Sequence, residues 1–75
     1  MRRYRVTQNF QAKERYGPFI RTVATGEELM FMQWVGEKYE QSAIFAIVVN
    51  GPAGVAPGPQ YETPRAQFEG STERA

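Results

Sequence analysis

The side chains that most often carry out acid–base, nucleophilic and metal chemistry are largely missing from this 75-residue chain. It contains no His, no Cys and no Asp, so its eight acidic residues are all Glu. General base catalysis, covalent catalysis and transition-metal binding thereby lose their commonest groups. The remaining candidates for an acid–base pair are the adjacent Glu27 and Glu28 and the spaced Glu37 and Glu40. Nothing around them indicates burial, and we predict a protein that is not an enzyme and holds neither metal nor cofactor.

Charge is divided unevenly along the chain, although the net charge is only +1. Residues 1–21 hold six basic residues against one Glu, a balance of +5, and the remainder holds three against seven, a balance of −4. A basic surface of this kind can contact phosphates or acidic partners. Pairing with Glu residues from later in the chain is the alternative interpretation. The six basic residues are Arg2, Arg3, Arg5, Lys13, Arg15 and Arg21.

Several stretches of the sequence show the patterns of β-strands. Alternation predicts a first strand over residues 3–10, with Tyr4, Val6 and Phe10 on one face. Residues 11–18 are polar and end in Gly-Pro, which predicts a loop before a second extended run at residues 19–24. Residues 43–49 are all apolar, which predicts a strand buried on both faces.

The segment between these strands fits two structures. Thr25 followed by Glu28 matches a capping box, which would begin a helix within residues 26–40. On a helical wheel, however, the apolar residues point in nearly every direction, so a helix would need burial on all sides. We therefore predict a strand, with helix as the alternative. The strand would place Leu29, Phe31 and Val35 on one face and Met30, Met32 and Trp34 on the other.

The patterns "YRVTQNF", "TGEELMFMQW" and "AIFAIVV" together resemble small Src-homology-3-like β-barrels over residues 3–50. In those barrels a Gly-Glu turn launches a long bent strand that pairs with a central hydrophobic strand. The resemblance implies an all-β, partly open barrel of about five short strands that serves as a binding platform. The aromatic run with which Src-homology-3 domains grip Pro-rich ligands is absent, so that activity is not expected.

Composition changes abruptly at Asn50 and Gly51, where Pro and Gly begin to dominate. We predict a β-barrel domain over residues 1–50, a Pro/Gly-rich extended arm over 51–68 and a disordered tail over 69–75. Val55, Tyr61 and Phe68 would cover the apolar strands, unless a partner covers them instead. No apolar run approaches the roughly 18 residues that span a bilayer. The sequence thus predicts a soluble, cytoplasmic protein with no membrane partner.

The function that these features favour is a small protein-binding module, such as an adaptor, an inhibitor or an assembly subunit, of the compact kind that phages and mobile elements encode. Its partner would be another protein or a second copy. Met and Trp are enriched at the cores of interfaces, so Met30, Met32, Trp34 and Tyr39 are the predicted contacts. Ordinary core packing is the other interpretation of these residues. The alternative function is nucleic-acid binding by the six N-terminal basic residues, with Tyr4, Tyr16 or Phe19 stacking on bases.

Overall fold

A computed structural model describes residues 2–75 as one antiparallel sheet that curls into a half-barrel, with a single short helix. The all-β prediction is confirmed, but the described residues form seven strands where about five were expected. The sheet order is β3-β2-β6-β5-β4-β1-β7. The elements are β1 (Arg2–Val6), β2 (Phe10–Glu14), β3 (Ile20–Val23), β4 (Glu28–Val35), β5 (Ser42–Gly51), β6 (Gly54–Pro64), α1 (Arg65–Ser71) and β7 (Thr72–Arg74).

The predicted first strand is divided into two strands by a turn at residues 7–9. Asn9 holds this turn against the β3–β4 connection, since its Oδ1 accepts hydrogen bonds from the Thr25 N–H and hydroxyl at 2.8 and 3.0 Å. Residues 11–14, which were predicted to be part of a polar loop, instead join Phe10 in β2, because Phe10 and Ala12 alternate toward the core. Two buried residues in a short, mostly polar segment are a weak indication of a strand in the sequence alone.

The segment for which helix and strand were both considered forms strand β4, which confirms the predicted strand. The residues on each face of the strand differ from the prediction. Its pairing with β5 shifts register between Phe31 and Gln33, so Met32 lies in a β-bulge. An extra residue reverses the alternation beyond the bulge. Trp34 therefore lies opposite Ala43 on the core face, whereas Met30 lies opposite Ala46 on the outer face.

The C-terminal third departs most from the prediction of an extended arm and a disordered tail. Residues 54–64 form β6, which lies in the middle of the sheet between β2 and β5. Residues 65–71 form α1, and residues 72–74 form an edge strand paired with β1. A helix of seven residues is marginal alone, so α1 depends on the burial of Phe68 and Ser71.

The core lies on the concave face of the sheet, with α1 packed over it. Phe68 is 2% exposed and its ring centroid lies 5.2 Å from that of Tyr4 and 5.8 Å from that of Phe45. Tyr61 from β6 is also buried, as predicted, whereas Val55 is not. No helix among residues 2–75 is long and apolar enough to cross a membrane. The buried cluster consists of Val6, Phe10, Ala12, Val23, Leu29, Ala43, Phe45, Tyr61 and Phe68.

Candidate functional site

The β5–β6 hairpin extends beyond the strands on both of its sides. Pairing of β5 with β4 ends at Ile47 opposite Leu29, and pairing of β6 with β2 ends at Tyr61 opposite Glu14. The hairpin continues through four further residue pairs, from Val48 opposite Pro57 to Gly51 opposite Gly54. At about 3.3 Å a residue, these pairs project roughly 13 Å. From here on, the arm means this projecting part of the hairpin, residues 48–58, and not the arm predicted over residues 51–68.

The base of the arm depends on a close approach between its two strands. A Cβ on Gly58 would lie 2.5 Å from Cγ2 of Val49 and 2.8 Å from the carbonyl oxygen of Ile47. The β5–β6 register shifts at this point, between Ala46 and Val48. Glycine therefore permits the close approach of β6 to β5 at the irregularity where the arm leaves the sheet.

The arm is uncharged as well as exposed. No Asp, Glu, Lys or Arg occurs from Gln41 to Tyr61, a stretch bounded by Glu40 and Glu62. Val49 and Val55 each keep 45% of their surface exposed. Projecting hairpins and sheet edges usually carry charges that discourage contact with other chains. This one lacks them.

The β2–β3 turn brings further apolar side chains to the same end of the sheet. Beyond the pairing of Glu14 with Tyr61, the N–H of Arg15 donates to the carbonyl oxygen of Gln60 at 3.0 Å. The turn thus follows β6 toward the arm. Its exposed side chains are Tyr16 and Phe19, at 81% and 72%. Ile20, which is 66% exposed, begins β3 and lies farther from the arm, in the row of Lys13 and Glu62.

Four of the six large exposed hydrophobic residues in the described part of the chain, Tyr16, Phe19, Val49 and Val55, therefore lie on the side of the molecule toward the arm. We call this region, the arm together with Tyr16 and Phe19, the arm end. The sequence predicted other roles for its residues, with Tyr16 and Phe19 as candidates for stacking on bases and Val55 as cover for the apolar strands. The signal that would have found it is the uncharged stretch from Gln41 to Tyr61, read together with the Pro-Gly composition of the hairpin.

The four predicted partner contacts are not brought together on one surface. Met30 lies on the outer sheet face, and Met32 lies in the bulge. Trp34 packs inside, with its ring centroid 4.8 Å from that of Phe31 and with the guanidinium carbon of Arg65 4.4 Å from its own centroid. Tyr39 is 88% exposed in the β4–β5 turn, at the end opposite the arm.

Three of the six predicted basic residues lie against carboxylates. Arg3 pairs with Glu28, Arg5 lies 3.8 Å from Glu73, and Arg21 lies 2.8 Å from Glu27. This agrees with the neutralisation alternative, although only Glu73 comes from the C-terminal third. The other three have different surroundings. Arg15 donates to Oε1 of Gln60 at 2.6 Å, Lys13 donates to the carbonyl oxygens of Glu14 and Gly17, and Arg2 is exposed.

The candidate acid–base pairs lie at the surface, and Glu27 and Glu28 line an open notch beside Arg3. Glu27 and Glu28 are engaged by Arg21 and Arg3, and Glu27 also accepts the N–H of Ala24 at 2.7 Å. Glu37 and Glu40 lie in the exposed β4–β5 turn. Within residues 2–75, acidic side chains form no group of three or more that could hold a metal ion.

Comparison with known proteins found no matching family model, no similar curated protein and no similar solved structure. A functional interpretation of this chain therefore depends on the geometry described above.

Proposed function

We propose that this protein is a non-enzymatic protein-binding module that contacts its partner through the arm end. The observation that carries the proposal is the position of four of the six large exposed hydrophobic residues toward that end. Exposed apolar side chains concentrated in one region of a small protein are typical of interaction sites. Aromatic side chains such as Tyr16 and Phe19 supply much of the binding energy at interface cores.

The charge distribution also supports a protein partner. An uncharged hairpin can lose its water on binding without the cost of desolvating ions. Its rim is polar, since Lys13 and Arg15 lie beside the turn. An apolar centre with a polar rim is the usual anatomy of a protein–protein interface. A resemblance to Src-homology-3-like barrels is also a proposal, and it rests on the sequence patterns of residues 3–50.

Nucleic-acid binding has less support. The acidic partners of Arg3, Arg5 and Arg21 lie within 4 Å of them and offset the positive field that phosphate contacts require. Tyr4, one of the predicted stacking residues, packs edge-on against Phe68 at 5.2 Å. A steep loss of nucleic-acid binding between low and moderate salt would revive this alternative.

The test compares one aromatic residue at each end of the molecule. Phe19→Ser removes an exposed ring from the arm end, and Tyr39→Ser removes an exposed ring from the opposite turn. The immobilised wild-type protein and the two variants are incubated with nuclease-treated extract of the native cell. We expect one protein to be retained by the wild type and by Tyr39→Ser, and to be reduced roughly tenfold or more with Phe19→Ser.

Two outcomes would contradict this assignment. Loss with Tyr39→Ser and retention with Phe19→Ser would move the site to the contact that the sequence predicted. Equal retention by both variants would show that the aromatic residues of the arm end take no part. Equal melting temperatures for the three proteins are the control for folding.

A further inference from the structure

The two long edges of the arm differ in their capacity to accept another strand. On the β6 side, Pro57 and Pro59 lack the N–H groups that a neighbouring strand would need. On the β5 side, Val48–Gly51 includes neither Pro nor a charged residue. Among residues 2–75 no strand pairs with this side. Alternate N–H and C=O groups of an antiparallel strand point to opposite sides, so the β5 edge presents unused donors and acceptors.

The open β5 edge continues the line of β4. Strand β4 begins at Glu28, and its first residue that pairs with β5 is Leu29, which lies opposite Ile47. A strand added antiparallel to β5 beyond that point would be collinear with β4. It would end at a surface notch of about 310 Å³ next to the start of β4. The residues that line the notch are Arg3, Gly26, Glu27, Glu28, Ile47, Val48 and Asn50.

We infer that two copies of this chain associate by pairing their β5 arm edges, antiparallel across a two-fold axis. The inference rests on the proposed function, because it names a second copy as the partner at the arm end. An axis at Asn50 would place Pro52 of each copy opposite Val48 of the other, where Val48 lines the notch. The result is a continuous four-stranded ribbon made of two arms.

Charge is the reason for choosing a second copy over a different protein. In a two-fold interface the residues near the axis lie opposite their own counterparts, so any charge there would meet a like charge. The stretch from Gln41 to Tyr61 contains none. At the notch, Glu28 is paired with Arg3 and Glu27 with Arg21, so the incoming turn meets carboxylates that are already neutralised.

The contact is short, and we expect weak, reversible association. Four residues a strand give an interface below the roughly 1,200 Å² of stable complexes. Sedimentation equilibrium of the full chain from low to near-millimolar concentration should show a shift from 8.5 kDa toward twice that mass. Hydrogen exchange should slow with concentration at alternate amides within Val48–Gly51, while the amides of β7, the edge strand at the far side of the sheet, stay unchanged.

Two valines provide a matched pair of variants, since Val49 on β5 and Val55 on β6 are equally exposed, at 45%. Val49→Lys places like charges across the two-fold axis, and we expect it to weaken association roughly tenfold or more. Val55→Lys adds the same charge on the proline-bearing strand and should change it little. Asn50→Lys, at an exposed position beside Val49, should act like Val49→Lys and guards against a folding defect specific to that valine.

A wild-type protein that stays monomeric up to near-millimolar concentration would overturn the inference. Equal weakening by Val49→Lys and Val55→Lys would also overturn it, because it would indicate packing of arm faces in place of edge pairing. Either result leaves the proposed function standing if capture of another protein still depends on Phe19. If the wild-type protein captures no other protein from the extract, but still forms a dimer that Val49→Lys weakens, the proposed binding of a different protein is wrong and the inferred dimer stands.

Discussion

Phe68 shows how much of this small core depends on one side chain. Its ring contacts four other aromatic rings, with centroid separations between 5.2 and 6.0 Å. Those rings come from three different strands, namely β1, β4 and β5. The side chain therefore fastens α1 to the concave face and joins strands that are distant in sequence. The burial of Phe68 was predictable from its type, but its neighbours were not.

Single residues also fix the turns, and Gly36 is the clearest case. Its φ is +100°, and a Cβ there would lie 2.5 Å from the backbone carbonyl oxygen of Glu40. We expect Gly36→Ala to combine a left-handed backbone cost of about 1–2 kcal/mol with an overpacking cost of about 1–3 kcal/mol. Urea unfolding monitored by tryptophan fluorescence measures the change.

Gly26→Ala is the control for this prediction. Gly26 has a similar φ of +93°, but a Cβ there would have no atom within 4 Å. It should show the backbone cost alone. Equal losses from the two variants would mean that the β4–β5 turn relaxes away from the clash.

At the scale of elements, the strands are set by alternation and the helix by its surroundings. Strand β5 carries the strongest local signal, and the structure extends it to Ser42–Gly51. Helix α1 has no side-chain hydrogen bond at its N-cap and no acidic residue in its first turn. With little intrinsic support, α1 should respond to changes in helix propensity at its exposed positions.

Gly70→Ala is therefore expected to stabilise the protein. Gly70 is exposed, and a Cβ there would meet no atom within 4 Å. Replacing a helical Gly by Ala gains about 0.5–1 kcal/mol, which corresponds to a rise of about 2–8 °C in the melting temperature of a domain of this size. The reverse change in the same helix, Ala66→Gly, should lower it by a similar amount. A fall with Gly70→Ala would indicate that the helix ends before Gly70.

At the scale of the whole molecule, the chain after Gly51 completes the sheet. Strand β6 is the only link between the β2–β3 pair and the rest of the described sheet. Thr63 Oγ1 and Gln67 Nε2 both donate to the carbonyl oxygen of Gln11, at 3.3 and 2.7 Å. These two side chains bond the Gln11 carbonyl at a position where β2 no longer pairs with β6. We therefore expect the C-terminal third to unfold together with residues 1–50.

Truncation after Asn50 should consequently unfold the protein. It removes Tyr61 and Phe68, whose burial is worth roughly 1.5–3 kcal/mol each, from a domain with a stability of roughly 5 kcal/mol. It also detaches β2 and β3 from the sheet. Circular dichroism and proton chemical-shift dispersion measure the outcome.

A milder truncation after Ser71 is the control. It removes only the edge strand β7 and the last residue, and should leave a folded protein. Dispersed proton chemical shifts and a cooperative thermal transition from residues 1–50 would contradict this account. They would mean that the fold does not require the C-terminal third.

The sequence by itself determined the class of the fold, the extended state of β4 and β5, and the burial of Tyr61 and Phe68. Each follows from local properties: period-two alternation, unbroken apolarity and large aromatic side chains. Only the tertiary structure decided which face Trp34 occupies, because a bulge at Met32 arises from pairing with β5. It also decided that residues 54–64 form a central strand, and that Tyr16, Phe19 and the arm lie at one end. Those features depend on partners distant in sequence, which a local pattern cannot specify.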